Sequence, residues 1–171
     1  LLSAPEANHP LATRVLAAVV PFATIRDDVS YADLQGRWRD PAAGGLLVTD
    51  EAARWLGGLW GDKAAGVEIV SAADMDTRLE NTPGALGVVA FEQLDPRMKA
   101  LTVDGFNVLS NTFQANTYPL AVTLSVEGNG SSLLAPLLQG AVKPATNRDA
   151  SKLTQLIMTG VTAMSRVTAL K

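Results

Sequence analysis

The chain is 171 residues long, 47% hydrophobic and 18% charged, with a formal net charge of −3. That is one ordinary domain, or one plus a piece of another. Its apolar content builds a core and excludes intrinsic disorder, and its acidic balance excludes a basic footprint for nucleic acid. With no cysteine and one histidine, His9, disulfides, thiolate chemistry and a His-rich metal site are excluded, and an ordinary Ser-His-Asp triad is disfavoured. No apolar run reaches the roughly 20 residues of a membrane helix.

Taken in order, Thr13 to Val20 (TRVLAAVV) is a continuous apolar run closed by Pro21, the pattern of a strand buried on both faces. Ser30-Tyr31-Ala32-Asp33 fits a capping box and opens a short helix through Leu34 to Trp38. Pro41 to Gly45 is a loop before the short strand Leu46 to Val48. Asp50 is a good N-cap for a helix over Glu51 to Leu59, with Trp55, Leu56 and Leu59 on one face. Val67 to Val70 reads as a strand, and Ser71-Ala72-Ala73-Asp74 as a second capping box for a helix ending near Glu80.

After the turn Asn81 to Gly84, Ala85 to Phe91 is a strongly apolar strand broken at Leu94-Asp95-Pro96. Lys99 to Val103 is a further strand, followed by a polar loop with Asn107, Asn111 and Asn116. Tyr118 to Val126 is a strand, Leu133 to Val142 a helix interrupted at Pro136, and Lys143 to Arg148 has linker composition. Leu153 to Met158 reads as a last strand, followed by a helix over Val161 to Lys171. The helix has no glycine cap, so the chain is expected to continue in a longer protein. Alternating strands and helices predict a layered α/β fold with a mixed, mostly parallel sheet and flanking helices.

In such a fold ligands meet the carboxyl ends of strands against helix N-termini. Thr49 and Ser71 stand at those turns as candidate ligand-binding hydroxyls. Helix capping is the plainer explanation of both, and Asp50 beside Thr49 repels an anion. Asp74, Asp76 and Glu80 share one helix region. They are candidate ligands for a hard cation, or with Arg78 a solvated face. Asp27-Asp28 is a turn pair of the same kind, and His9 beside Pro10 sits in an irregular stretch. Trp38, Trp55 and Trp60 line either a cleft or the core. The stretch Thr146 to Asp149 carries one arginine, Arg148, able to clamp an anion. No phosphate-loop, dinucleotide or hydrolase motif is present, and no cofactor is expected.

Pro83-Gly84-Ala85-Leu86-Gly87-Val88-Val89, then Lys99 to Gly105, then Tyr118-Pro119-Leu120 resemble the closing half of a type 2 periplasmic solute-binding protein of the phosphate-binding kind. Val15 to Trp38 resembles an upstream segment of that family, with Ser30, Leu34 and Trp38 at matching places. The resemblance covers about residues 12 to 127 and implies one lobe (about 25–98) plus return strands of the other. It implies an extracytoplasmic, non-catalytic domain for a small anionic ligand or acidic polymer. Leu153 to Arg166 resembles the opening of the CapA family of poly-gamma-glutamate capsule synthesis, with Gly160 and Arg166 at the ends of its motif and Val161 where that family has an aspartate. This implies a solute-binding-like domain over 1–145 and, over 146–171, a linker and the first β-α element of a CapA-like domain. The alternatives are a fragment of a metal-dependent CapA-like enzyme or a purely structural assembly lobe. If half of the first lobe is absent, Tyr118 to Val126 and Leu153 to Met158 need partners. They pair with each other, or the chain forms a homodimer through an exposed strand edge.

Overall fold

The computed structural model describes residues 10–126, 131–142 and 144–154. His9, Gly160, Val161, Arg166 and most of the expected strand 153–158 lie outside them. The main sheet has six strands: β1 (Pro10–Pro21), β3 (Leu46–Val48), β4 (Val67–Ile69), β5 (Leu86–Ala90), β6 (Met98–Ala100) and β8 (Ala121–Ser125). Its order is β4-β3-β5-β1-β6, with β8 also on β1. A separate parallel pair joins β2 (Asp28–Val29) to β7 (Thr102–Val103).

The parallel character expected from sequence holds for β4-β3-β5. β1 differs, running antiparallel to β5, β6 and β8. An apolar run reports burial on both faces, not strand direction, so this reversal left no mark in the periodicity. β1 is the spine of the molecule: Val15 to Val19 are fully buried. Its first half pairs with β8 and its second half with β5 and β6. The expected strand over 99–103 splits at Leu101, whose N–H donates to Ala18 O.

Helix α1 (Tyr31–Arg39) begins as its capping residues dictate, with the Asp33 N–H donating to Ser30 Oγ at 3.0 Å. Leu34 and Trp38, four residues apart, are its buried pair. Helix α2 (Asp50–Trp60) buries Ala52, Leu56 and Trp60 at the same spacing and stops at Gly61, whose φ of 80° suits glycine. Helix α3 (Met75–Glu80) starts later than the Ser71 capping box predicts. Ser71 Oγ instead donates to the Asp74 carboxylate at 2.7 Å and accepts the Asp74 N–H, closing a turn ahead of the helix. Helix α4 (Ser131–Ala141) keeps Pro136 inside it.

The stretch 143–148, of linker composition, is held to the domain where it is described. The Thr13 N–H donates to Ala145 O at 2.8 Å, and Thr146 bridges Thr13 in parallel. The Asn147 amide then serves β1 as a neighbouring strand would: Oδ1 accepts the Val15 N–H at 2.7 Å and Nδ2 donates to Val15 O at 2.9 Å. At the far edges, β4 ends the sheet on one side and β6 and β8 share the other.

Two substitutions test this packing. A Cβ at Gly87 would stand 2.7 Å from Val19 Cγ2 and 3.2 Å from Leu79 Cδ1, so Gly87→Ala is expected to cost about 1–3 kcal/mol in urea unfolding. Asn147→Ala strips the partner from the Val15 N–H, on a fully buried residue, and is expected to cost about 1–3 kcal/mol in the same measurement.

Candidate functional site

The largest cavity described, about 840 Å³, opens where β5 ends and residues 144–153 cross β1. Arg14 of β1 lies on it. One wall is Glu51 in the first turn of α2, with Phe91 and Glu92 of the short 3-10 turn Phe91–Gln93; the other is the segment 144–153 with Asn147, Arg148 and Lys152.

Arg148 is locked in place. Its Nε donates to Val108 O and its NH2 to Ser110 O, each at 2.7 Å. Its guanidinium lies 4.6 Å from the Phe113 ring centroid and 5.6 Å from that of Phe91. Burial lowers its pKa from the ordinary arginine value, and an arginine stays charged at neutral pH even so. Asn147 Nδ2 donates to Glu92 Oε2, tying one wall to the other. Arg14 spends one nitrogen on Pro144 O at 2.9 Å. Asp149 is used by its own turn, where it accepts from Ser151 N and Oγ, with Lys152 at 3.8 Å.

Thr49 and Ser71 stand at the carboxyl ends of the adjacent strands β3 and β4, as the sequence implies. Thr49 is buried, accepts the Ala52 N–H at 3.3 Å and donates to Gln93 Oε1 at 2.7 Å. Gln93 Oε1 also accepts the Ala90 N–H. Thr49 therefore braces the 3-10 turn that carries Phe91 and Glu92, while Ser71 caps its own exposed turn. Neither lines the cavity.

The three acidic candidates do not converge. Asp74 is held by Ser71, Glu80 is exposed, and Asp76 is buried with Oδ2 paired to Arg97 NH1 at 2.5 Å. Arg97 also binds Asp95 and holds that carboxyl down to about 2. Among the described residues, no group of three His, Asp or Glu side chains is placed to hold a metal ion. Asp27 of the turn pair is ion-paired to Lys99. Trp38 and Trp60 are core, edge to face at 6.0 Å; Trp60 Nε1 donates to Tyr31 Oη at 2.6 Å.

Arg14 and Asn147 escaped the sequence reading. Arg14 sits inside an apolar strand, and the pairing role of Asn147 exists only across 132 residues of chain separation. Arg148 was legible as a potential clamp within Thr146 to Asp149, but not that backbone carbonyls would claim two of its nitrogens.

No family model matches the chain, and no curated protein matches it. Solved structures do. An ABC-type phosphate transport receptor from Vibrio cholerae superposes with a TM-score of 0.56 at 17% identity, over 77% of this chain and 65% of that one. The fold is of the periplasmic-binding-protein type. A candidate phosphate ABC transporter substrate-binding protein with bound phosphate, from Clostridium perfringens, gives a TM-score of 0.49 at 11% identity, over 75% of this chain and 63% of that one. The chain thus spans less than two thirds of the length of each of these structures. Among the described residues no helix is long and apolar enough to cross a membrane.

The Ser151 hydrogen bonds, then the Lys152 charge, hold the Asp149 carboxyl below its ordinary 3.8. A depressed folded-state pKa means that the turn is favoured above 3.8 and released as pH falls through the lower value. In a carboxyl-detected NMR titration, Asp149 is expected to titrate below 3.8, and Ser151→Ala to return it toward that value.

Proposed function

We propose that this chain is a non-catalytic, extracytoplasmic ligand-binding domain of the solute-binding type, and that a small ligand with an anionic group occupies the cavity beside β1. One observation carries this reading: Arg14, Arg148 and Lys152 all lie on the largest cavity described, at the seam where β5 gives way to 144–153 as the neighbour of β1. About 840 Å³ is within the usual range of small-molecule sites, roughly 300–1,000 Å³. The fold shared with a phosphate transport receptor supports both the binding role and the extracytoplasmic placement.

Thr49 acts in this reading as a positioning residue, through Gln93 and the wall that carries Phe91. Ser71, Asp74, Asp76 and Glu80 have no part in it. The CapA-like continuation is supported by the sequence of 153–166 alone, of which 153 and 154 are described. It would make this domain an accessory platform ahead of a capsule-related body, able to meet an acidic polymer by its end group.

A thermal-shift series with glutamate, phosphate and sulfate tests the reading. A ligand that binds only the folded chain adds about 2.7 kcal/mol at a hundred times its Kd, or roughly 5–10 °C in Tm for this chain length. At least one of these anions is expected to raise Tm, and Arg14→Gln to remove the shift while circular dichroism stays unchanged. A flat series with the parent chain, the other standard amino acids included, overturns the reading.

A further inference from the structure

The two walls of the cavity differ in sign. The side formed by β1 and 144–153 presents Arg14, Arg148 and Lys152 against one carboxylate of its own, Asp149, which accepts from Ser151 and pairs with Lys152, so three cations outnumber one anion there. The facing side presents Glu51 and Glu92, with the Phe91 ring beside them. Glu92 gives one oxygen to Asn147 Nδ2. Glu51 is half-buried in the first turn of α2, next to Asp50, where the helix dipole favours a carboxylate. A simple anion drawn to the cations would sit against two carboxylates and lose most of what it gained. A ligand with a carboxylate at one end and an ammonium at the other satisfies both walls.

We propose that this cavity binds a small zwitterion of the amino-acid type, its carboxylate toward Arg14 and Lys152 and its ammonium toward Glu51 and Glu92. Arg148, two of whose nitrogens are held by the Val108 and Ser110 carbonyls, sets the potential of its wall and keeps Phe91 in place. This inference rests on the binding reading above and narrows it: an ion of one sign is the wrong class.

Calorimetric titration of the intact chain separates the cases, with the standard amino acids, propionate, ethylamine and inorganic phosphate as probes. At least one amino acid is expected to bind ten or more times tighter than propionate, ethylamine or phosphate. Glu51→Gln is expected to weaken that amino acid at least tenfold while strengthening propionate. Glu92→Gln keeps an oxygen for Asn147 and so leaves the walls joined; it is expected to act in the same direction. Phosphate or propionate binding as tightly as every amino acid overturns the zwitterion and leaves the binding reading standing. So does amino-acid binding that ignores both glutamate substitutions. Binding of none of the probes overturns both.

Discussion

β1 has to find hydrogen-bond partners along both edges for twelve residues, and everything else in the molecule is arranged around that demand. Its even residues face one way: the Leu16 N–H donates to Leu120 O, and Ala18 O accepts from Leu101. Its odd residues face the other, and no single strand serves them. β5 pairs as far as Leu16↔Ala90 and then turns away at Phe91. Thr13 is taken by Ala145, and between the two Val15 is fully buried. A side-chain amide fills that interval, because asparagine carries the same donor and acceptor as a peptide unit. The cavity exists because β5 leaves and its successor arrives with a gap between them. Asn147 spans that gap on the β1 side and reaches Glu92 on the other.

Much of this was legible in the chain. The apolar run is buried from Val15 to Val20, Ser30 caps α1, and Leu34 and Trp38 form its core side; of the face expected for α2, Leu56 is buried, with Ala52 and Trp60 beside it, while Trp55 and Leu59 are only partly buried. These features are local, and local patterns carry them. What was not legible is what depends on distant partners. The split at Leu101 follows from its bond to Ala18, and the late start of α3 from the Asp74 carboxylate choosing the Ser71 hydroxyl. A polar stretch rich in Pro, Thr, Asn and Arg has the composition of a linker, whether it crosses solvent or lies along a strand whose partner has run out.

The residues that best fit a ligand site in the sequence are engaged in local structure, and the cavity proposed for the ligand lies elsewhere. Thr49 is a hydroxyl at the end of a parallel strand, where ligands usually sit in α/β folds. Here its two bonds are spent inside the protein, on the Ala52 N–H and on Gln93. Asp76 meets Arg97 rather than two more carboxylates, which converts a metal-like spacing on one helix into an ion pair with the β5–β6 connection.

The same local choice shapes the chemistry of the cavity. With Thr49 as the cap, Asp50 and Glu51 fall in the first turn of α2, where each is favoured by the helix dipole and needs no other partner to be stable. Of the two, Glu51 lies on the cavity, so the end of a helix, ordinarily a welcoming position for an anion, presents a carboxylate there. The cations opposite come from β1 and from the segment that Asn147 pins, so their position is set by the backbone demand of β1. Helix capping sets Glu51 on one wall and strand pairing sets Arg14 and Arg148 on the other, and the proposed zwitterion would lie between the two.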